Sequence, residues 1–136
     1  METLPLRLSP GADLRTALEA EVAARSHRAA FVISGIGSLG GARLRLAGAR
    51  DPEDLRGDLE ILTLNGTVAG NGSHLHMSVA DSGGRVMGGH VARGCIVRTT
   101  VEVLLILLSE WSFDRKLDAA TGFAELVVSR RGSNAA

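Results

Sequence analysis

The sequence predicts an α+β fold: a single compact domain with a mainly antiparallel sheet and an N-terminal helix packed on it. Three observations carry that prediction. Seven or so stretches alternate apolar and polar residues or run β-branched, as strands do. One early stretch, after Asp13, places its apolar residues at helical spacing. The breaks between stretches are rich in Gly, Asp and Asn, which marks turns. One helix among a run of strands reads as α+β rather than as alternating strand and helix. At 136 residues the chain makes one domain. We assign it to residues 1–131, with 132–136 as a short polar tail.

Leu4 to Leu8 alternate and then meet Ser9-Pro10-Gly11, a short strand and a turn. Asp13 can cap a helix running to about Arg25, with Leu14, Ala17, Leu18, Glu21 and Val22 on one stripe. Ala29 to Ile36 reads as a strand ending in Gly35-Ile36-Gly37-Ser38-Leu39-Gly40-Gly41, taken as a flexible turn. Arg43-Leu44-Arg45-Leu46 alternates as a half-exposed strand should, and Asp51 to Asp58 reads as an acidic loop. Leu59 to Val68 is a strand with a kink or turn at Asn65-Gly66. Ser73 to Ala80 is the next strand, followed by a hairpin turn at Asp81-Ser82-Gly83-Gly84. Arg85 to Val91 resumes the β pattern, with Gly88-Gly89 predicting a bulge or a close backbone approach. Cys95 to Leu108 is a buried strand. Glu110 to Leu117 fits neither period cleanly, Thr121-Gly122 is a break, and Ala124 to Ser129 is the last strand.

Composition excludes several functions. Fifteen Lys+Arg balance fifteen Asp+Glu, so the chain does not coat nucleic acid by bulk charge. Three per cent aromatic residues, with no Tyr, argue against a stacking platform for bases. The single cysteine, Cys95, rules out an internal disulfide and a multi-cysteine zinc knuckle. Five arginines lie between Arg25 and Arg50, and five acids between Asp51 and Glu60. These read as two solvated faces that pair with each other, with an anion-binding strip as the alternative. The apolar run Val103 to Leu108 is far shorter than the ~20 residues that span a bilayer. With no basic and apolar leader at Met1, the expectation is a cytoplasmic chain with no membrane partner.

Chemistry concentrates between Gly72 and His90. Side chains alternate along a strand, so His74, His76 and Ser78 share one face while Leu75, Met77 and Val79 face a core. Two imidazoles about 7 Å apart along a strand can chelate one ion. The short turn brings His90 roughly opposite His76, so His74, His76 and His90 form a candidate site for zinc or another divalent transition metal. Three imidazoles leave a fourth coordination position open. Ser78, Asp81, Gly88 and Gly89 stand near it, Gly88-Gly89 as the device that aims His90. His27, at the helix end, reads as a C-terminal cation. Cys95 reads as a small buried residue. Glu102 interrupts an apolar run and reads as a partly buried carboxylate in a structural ion pair, with Arg98 or an arginine of another chain. Neither a nucleophile nor a general base is identifiable, so no catalytic residue is named and the reading leans away from an enzyme.

Gly72 to Asp81, Gly84-Arg85-Val86-Met87-Gly88-Gly89-His90-Val91, Gly94-Cys95-Ile96-Val97 and Thr100-Val101-Glu102-Val103 together resemble the plants-and-prokaryotes conserved domain, PPC or PCC. Leu8 to Leu14, Ser34 to Leu39 and Glu60 to Thr67 extend the resemblance over nearly the whole chain. The resemblance implies a compact domain on an antiparallel sheet, a homotrimer, and in some prokaryotic members a metal held by histidines matching His74, His76 and His90. It also implies a DNA-binding or transcription-linked interaction module. Plant members carry an AT-hook beside the domain, with an Arg-Gly-Arg-Pro core for the minor groove. Here Arg130-Arg131-Gly132-Ser133-Asn134 lacks the Pro and the second Arg, so DNA as a partner is only weakly expected. A zinc-dependent enzyme or small-molecule sensor using the three histidines is the alternative.

Overall fold

A computed structural model of the chain describes residues 1–132. All of the predicted polar tail except Gly132 lies outside the described residues. Nine elements follow in order: β1 (Glu2–Leu8), α1 (Leu14–Ala24), β2 (Ala29–Arg45), β3 (Glu53–Ala69), β4 (Gly72–Ala80), β5 (Val86–Val91), β6 (Ile96–Leu107), β7 (Trp111–Leu117) and β8 (Ala124–Arg130). The fold is a mainly antiparallel sheet with one short helix, more sheet-dominated than the α+β label conveys.

Six strands form one sheet in the order β1-β6-β2-β3-β4-β5. Strand β5 also pairs with the end of β2, Leu44 opposite Val91 and Arg45 opposite His90, so the sheet curls until it closes there. Strands β7 and β8 form a separate hairpin. Inside the curl, Leu39, Leu44, Leu64, Leu75, Leu105 and Leu107 are essentially solvent-free and join Leu14, Leu18 and Val22 of α1 in one core. Each such side chain contributes about 1.5–3 kcal/mol by leaving water.

Helix α1 starts where the sequence places it. Asp13 accepts from Thr16 N–H at 2.9 Å as N-cap, and its other oxygen accepts from Gly94 N–H at 2.6 Å. One carboxylate thus ties the helix start to the loop before β6.

Several expectations are corrected. Gly35 to Gly41 is not a turn: it lies inside the 17-residue β2, bonded to β3 and β6 on its two edges. The glycines absorb register shifts between Val32 and Gly41, which bend the strand without ending it. Most of the acidic loop is also strand, because β3 begins at Glu53; its acids sit on exposed positions and Asp54 meets Arg43 at 2.9 Å. Asn65-Gly66 does not break β3. Gly66 has φ +145°, and a Cβ there would run into the His74 carbonyl, so glycine lets β3 and β4 stay paired. Gly88-Gly89 makes no bulge, as β4 and β5 keep an unbroken register. It is a close approach instead: a Cβ on Gly89 would lie 2.6 Å from the Arg45 carbonyl oxygen. Glu102 is exposed, because it alternates with buried Val101 and Val103; it sits opposite Arg7, and Arg98 pairs with Asp58 at 3.2 Å. Glu110 to Leu117 resolves into β7.

Candidate metal centre

Strand β4 carries His74 and His76 on its outer side, with Leu75 and Met77 buried beneath. The turn that delivers His90 is fixed by Asp81, whose Oδ1 accepts from Gly83 N–H at 2.9 Å and Arg85 N–H at 3.0 Å. His76 then stands directly opposite His90 across the β4–β5 pair.

The three rings converge. His74 Nε2 lies 3.1 Å from His76 Nε2 and 3.1 Å from His90 Nδ1. The His74 and His90 rings stack at 5.0 Å, while His76 stands edge-on to both. One ring nitrogen from each lies within 4.8 Å of the others. A tetrahedral zinc ion bound at 2.0–2.1 Å sets its ligand nitrogens about 3.3 Å apart, close to the two 3.1 Å separations from His74. The donor chemistry fits as well: three imidazoles suit zinc, copper, nickel or iron better than magnesium or calcium. An ion held by His74, His76 and His90 would supply Lewis acidity there.

Electrostatics keep the imidazoles ready to ligate. Burial holds the His74 pKa below its ordinary value, helped by His76, Arg115 and Arg45 and opposed by Glu125. Burial also lowers His90, with Arg45, His76 and His74 adding to it. Both favour the neutral ring that a metal requires.

The other candidates are held elsewhere. Ser78 Oγ shares a 2.6 Å hydrogen bond with Thr63 Oγ1. Asp81 receives Arg85 Nε at 2.9 Å and belongs to the turn. Gly88 and Gly89 face Ser78 and Met77 in the ladder, and Gly89 admits the β2 backbone beside His90. His27 Nδ1 lies 2.9 Å from the Arg25 carbonyl oxygen at the end of α1. Cys95 is buried, and burial pushes its thiol up to about 11, which removes it as a nucleophile at neutral pH.

Three residues of this neighbourhood escaped the sequence reading. Arg45 is opposite His90. Thr67 is opposite His74. Arg115, on β7, donates from Nη2 to Thr67 Oγ1 at 2.7 Å. Period-2 alternation around Arg43 and Arg45 gave the strand but not its second partner, and nothing local signals Arg115.

The model of the Plants and Prokaryotes Conserved (PCC) domain matches residues 1–109, about four-fifths of the chain. The chain belongs to the PCC domain family. Within it, this PCC chain is 39% identical to a hypothetical protein from Salmonella cholerae-suis, with TM-score 0.92 over 96% of this chain and 94% of that one. It is 27% identical to a metal-containing protein from Archaeoglobus fulgidus, with TM-score 0.79 over 93% and 94% of the two chains. A proposed DNA-binding protein from Bacteroides thetaiotaomicron shares the fold at TM-score 0.81 and 20% identity, over 94% and 91%. Among curated proteins, it is 43% identical over 130 residues to the bifunctional protein GlmU of Synechococcus sp. (strain JA-3-3Ab). That match takes in 96% of the PCC chain but 21% of the relative, so the chain spans about a fifth of that protein's length.

Proposed function

We propose that this PCC chain is a homotrimeric binding module whose His74, His76 and His90 hold zinc or another divalent transition metal, with an open position for a small molecule. The observation that carries this is the pair of 3.1 Å separations among three ring nitrogens on neighbouring strands. The description of the Archaeoglobus fulgidus relative as metal-containing supports it. Binding is favoured over catalysis because the groups that would serve as nucleophile or base are committed: Ser78 to Thr63, Asp81 to its turn, and Cys95 to the core.

Self-association is supported by the outer side of β6, β2 and β3. Ile33, Ile36, Leu62 and Leu104 are exposed there by 47%, 53%, 47% and 37%. Apolar side chains gathered on one face mark an interaction surface. Sedimentation should give three times the chain mass, and Leu62→Asp should give a folded monomer. Zinc should raise the melting temperature of the wild type, through preferential binding to the folded state, and should not raise that of His76→Ala. A monomer with no zinc response would refute this reading.

A second reading, a DNA-binding or transcription-linked role, is favoured by the fold shared with the Bacteroides thetaiotaomicron protein. Zero net charge, with Arg43, Arg98 and Arg28 paired to Asp54, Asp58 and Asp114, weakens the positive potential that phosphates would meet. Its signature is therefore weak duplex affinity with a steep salt dependence.

A further inference from the structure

We infer that the open coordination position of this centre receives a small carboxylate, one oxygen on the metal and the other on the guanidinium of Arg115. This rests on the metal reading above and names the chemical class of its ligand.

Thr67 and His74 are opposite one another on β3 and β4. The 2.7 Å bond from Arg115 Nη2 to Thr67 Oγ1 therefore sets the guanidinium beside the His74 imidazole. The Arg115 Nε–H is enclosed by protein and has no acceptor among the described residues, so it is closed to a ligand. The half-buried guanidinium keeps its Nη1 and second Nη2 donors, and these form a fork that matches a carboxylate.

Arg115 is also held in place. Asn71, in the β3–β4 turn, donates to the Arg115 carbonyl at 3.0 Å and accepts from the Arg115 N–H at 2.8 Å. That two-point clamp fixes the backbone of β7 over the end of β4, so the guanidinium is positioned before any ligand arrives. On the far side of the cluster, Arg45 faces His90 and is tied by Nη1 to the Ala49 carbonyl at 3.1 Å.

Two guanidiniums thus flank the imidazoles, Arg115 at Thr67 opposite His74 and Arg45 opposite His90. A divalent ion would add two more positive charges, and a ligand that offsets them is favoured. An anion does so. A carboxylate fits because it has two oxygens for two adjacent electrophiles, the metal and the fork. No bond is made or broken in this step: the carboxylate replaces water at the metal.

The test uses the full chain loaded with Co2+, whose visible absorption reports both the metal and what enters its open position. Acetate is the probe, with inorganic phosphate in a parallel arm. Acetate should perturb the wild-type spectrum saturably. Arg115→Gln should keep one Co2+ per chain while its acetate affinity falls about ten- to hundredfold, the range for a lost charged hydrogen bond. Arg115→Lys, which keeps the charge without the fork, should fall between the two.

Unchanged acetate affinity in Arg115→Gln with Co2+ retained overturns this inference and leaves the metal reading standing. So does a spectrum moved by phosphate but not by acetate. A wild type that takes up no Co2+ overturns both. If Arg115→Gln loses its cooperative melting transition, Arg115→Lys carries the test, and wild-type acetate affinity in it overturns the inference.

Discussion

Gly89→Ala is a one-methyl test of how the proposed metal centre is built. The added Cβ would sit 2.6 Å from the Arg45 carbonyl oxygen, while ordinary contact begins at 3.4 Å. The obstacle is backbone, so the β5–β2 contact must open by about 0.8 Å. His90 is the next residue, and it is the one paired with Arg45. A displacement of that size is comparable to the slack that separates a formed ligand set from a loose one, since such sites need placement within about 0.5 Å. We expect metal affinity to fall roughly ten- to hundredfold, the range for disturbing the support of a ligand. Stability should fall by about 1–3 kcal/mol, as overpacking typically costs. The assay is competition for Zn2+ against a chromophoric chelator, with thermal melting of the metal-free protein run in parallel. Wild-type metal affinity together with an unchanged melting temperature would refute the reasoning that Gly89 exists to let β5 meet β2.

Further outcomes follow from the same structure. Asp13→Ala removes a helix cap and leaves Gly94 N–H without its acceptor, so stability should drop by about 2 kcal/mol, read as a melting temperature about 7 °C lower. Because His74 and His90 bind protons less readily folded than unfolded, protonation favours the unfolded chain. The metal-free protein should therefore lose stability as pH falls through the ordinary histidine range, and Zn2+ should be released over the same interval; denaturant titrations at stepped pH check the first and chelator competition the second. Duplex DNA binding should be weak near physiological salt and fall steeply as salt rises, which fluorescence anisotropy at several ionic strengths measures.

The three histidines were legible because every step was local. His-x-His on a strand shares a face, and a four-residue turn returns the chain opposite. The cap at Asp13 was legible for the same reason. What escaped depends on partners distant in sequence. Gly35 to Gly41 looks like a turn in isolation, yet β3 and β6 supply hydrogen bonds on both edges and hold it as strand. Glu102 looked buried because its neighbours are apolar, whereas alternation alone puts it on the outer side. Arg115 meets Thr67 across 48 positions of sequence, through a hairpin whose placement is set by Phe113 packing against Ala29 and Ala69. No periodicity announces such a contact.

The most direct measurement is metal content with its location. Untagged protein should carry close to one transition-metal ion per chain by elemental analysis, and a crystal should show an anomalous peak equidistant from His74, His76 and His90. His76→Ala should lose that metal while keeping the fold. Well-folded protein that stays metal-free after incubation with Zn2+, or a peak elsewhere in the chain, would contradict the account.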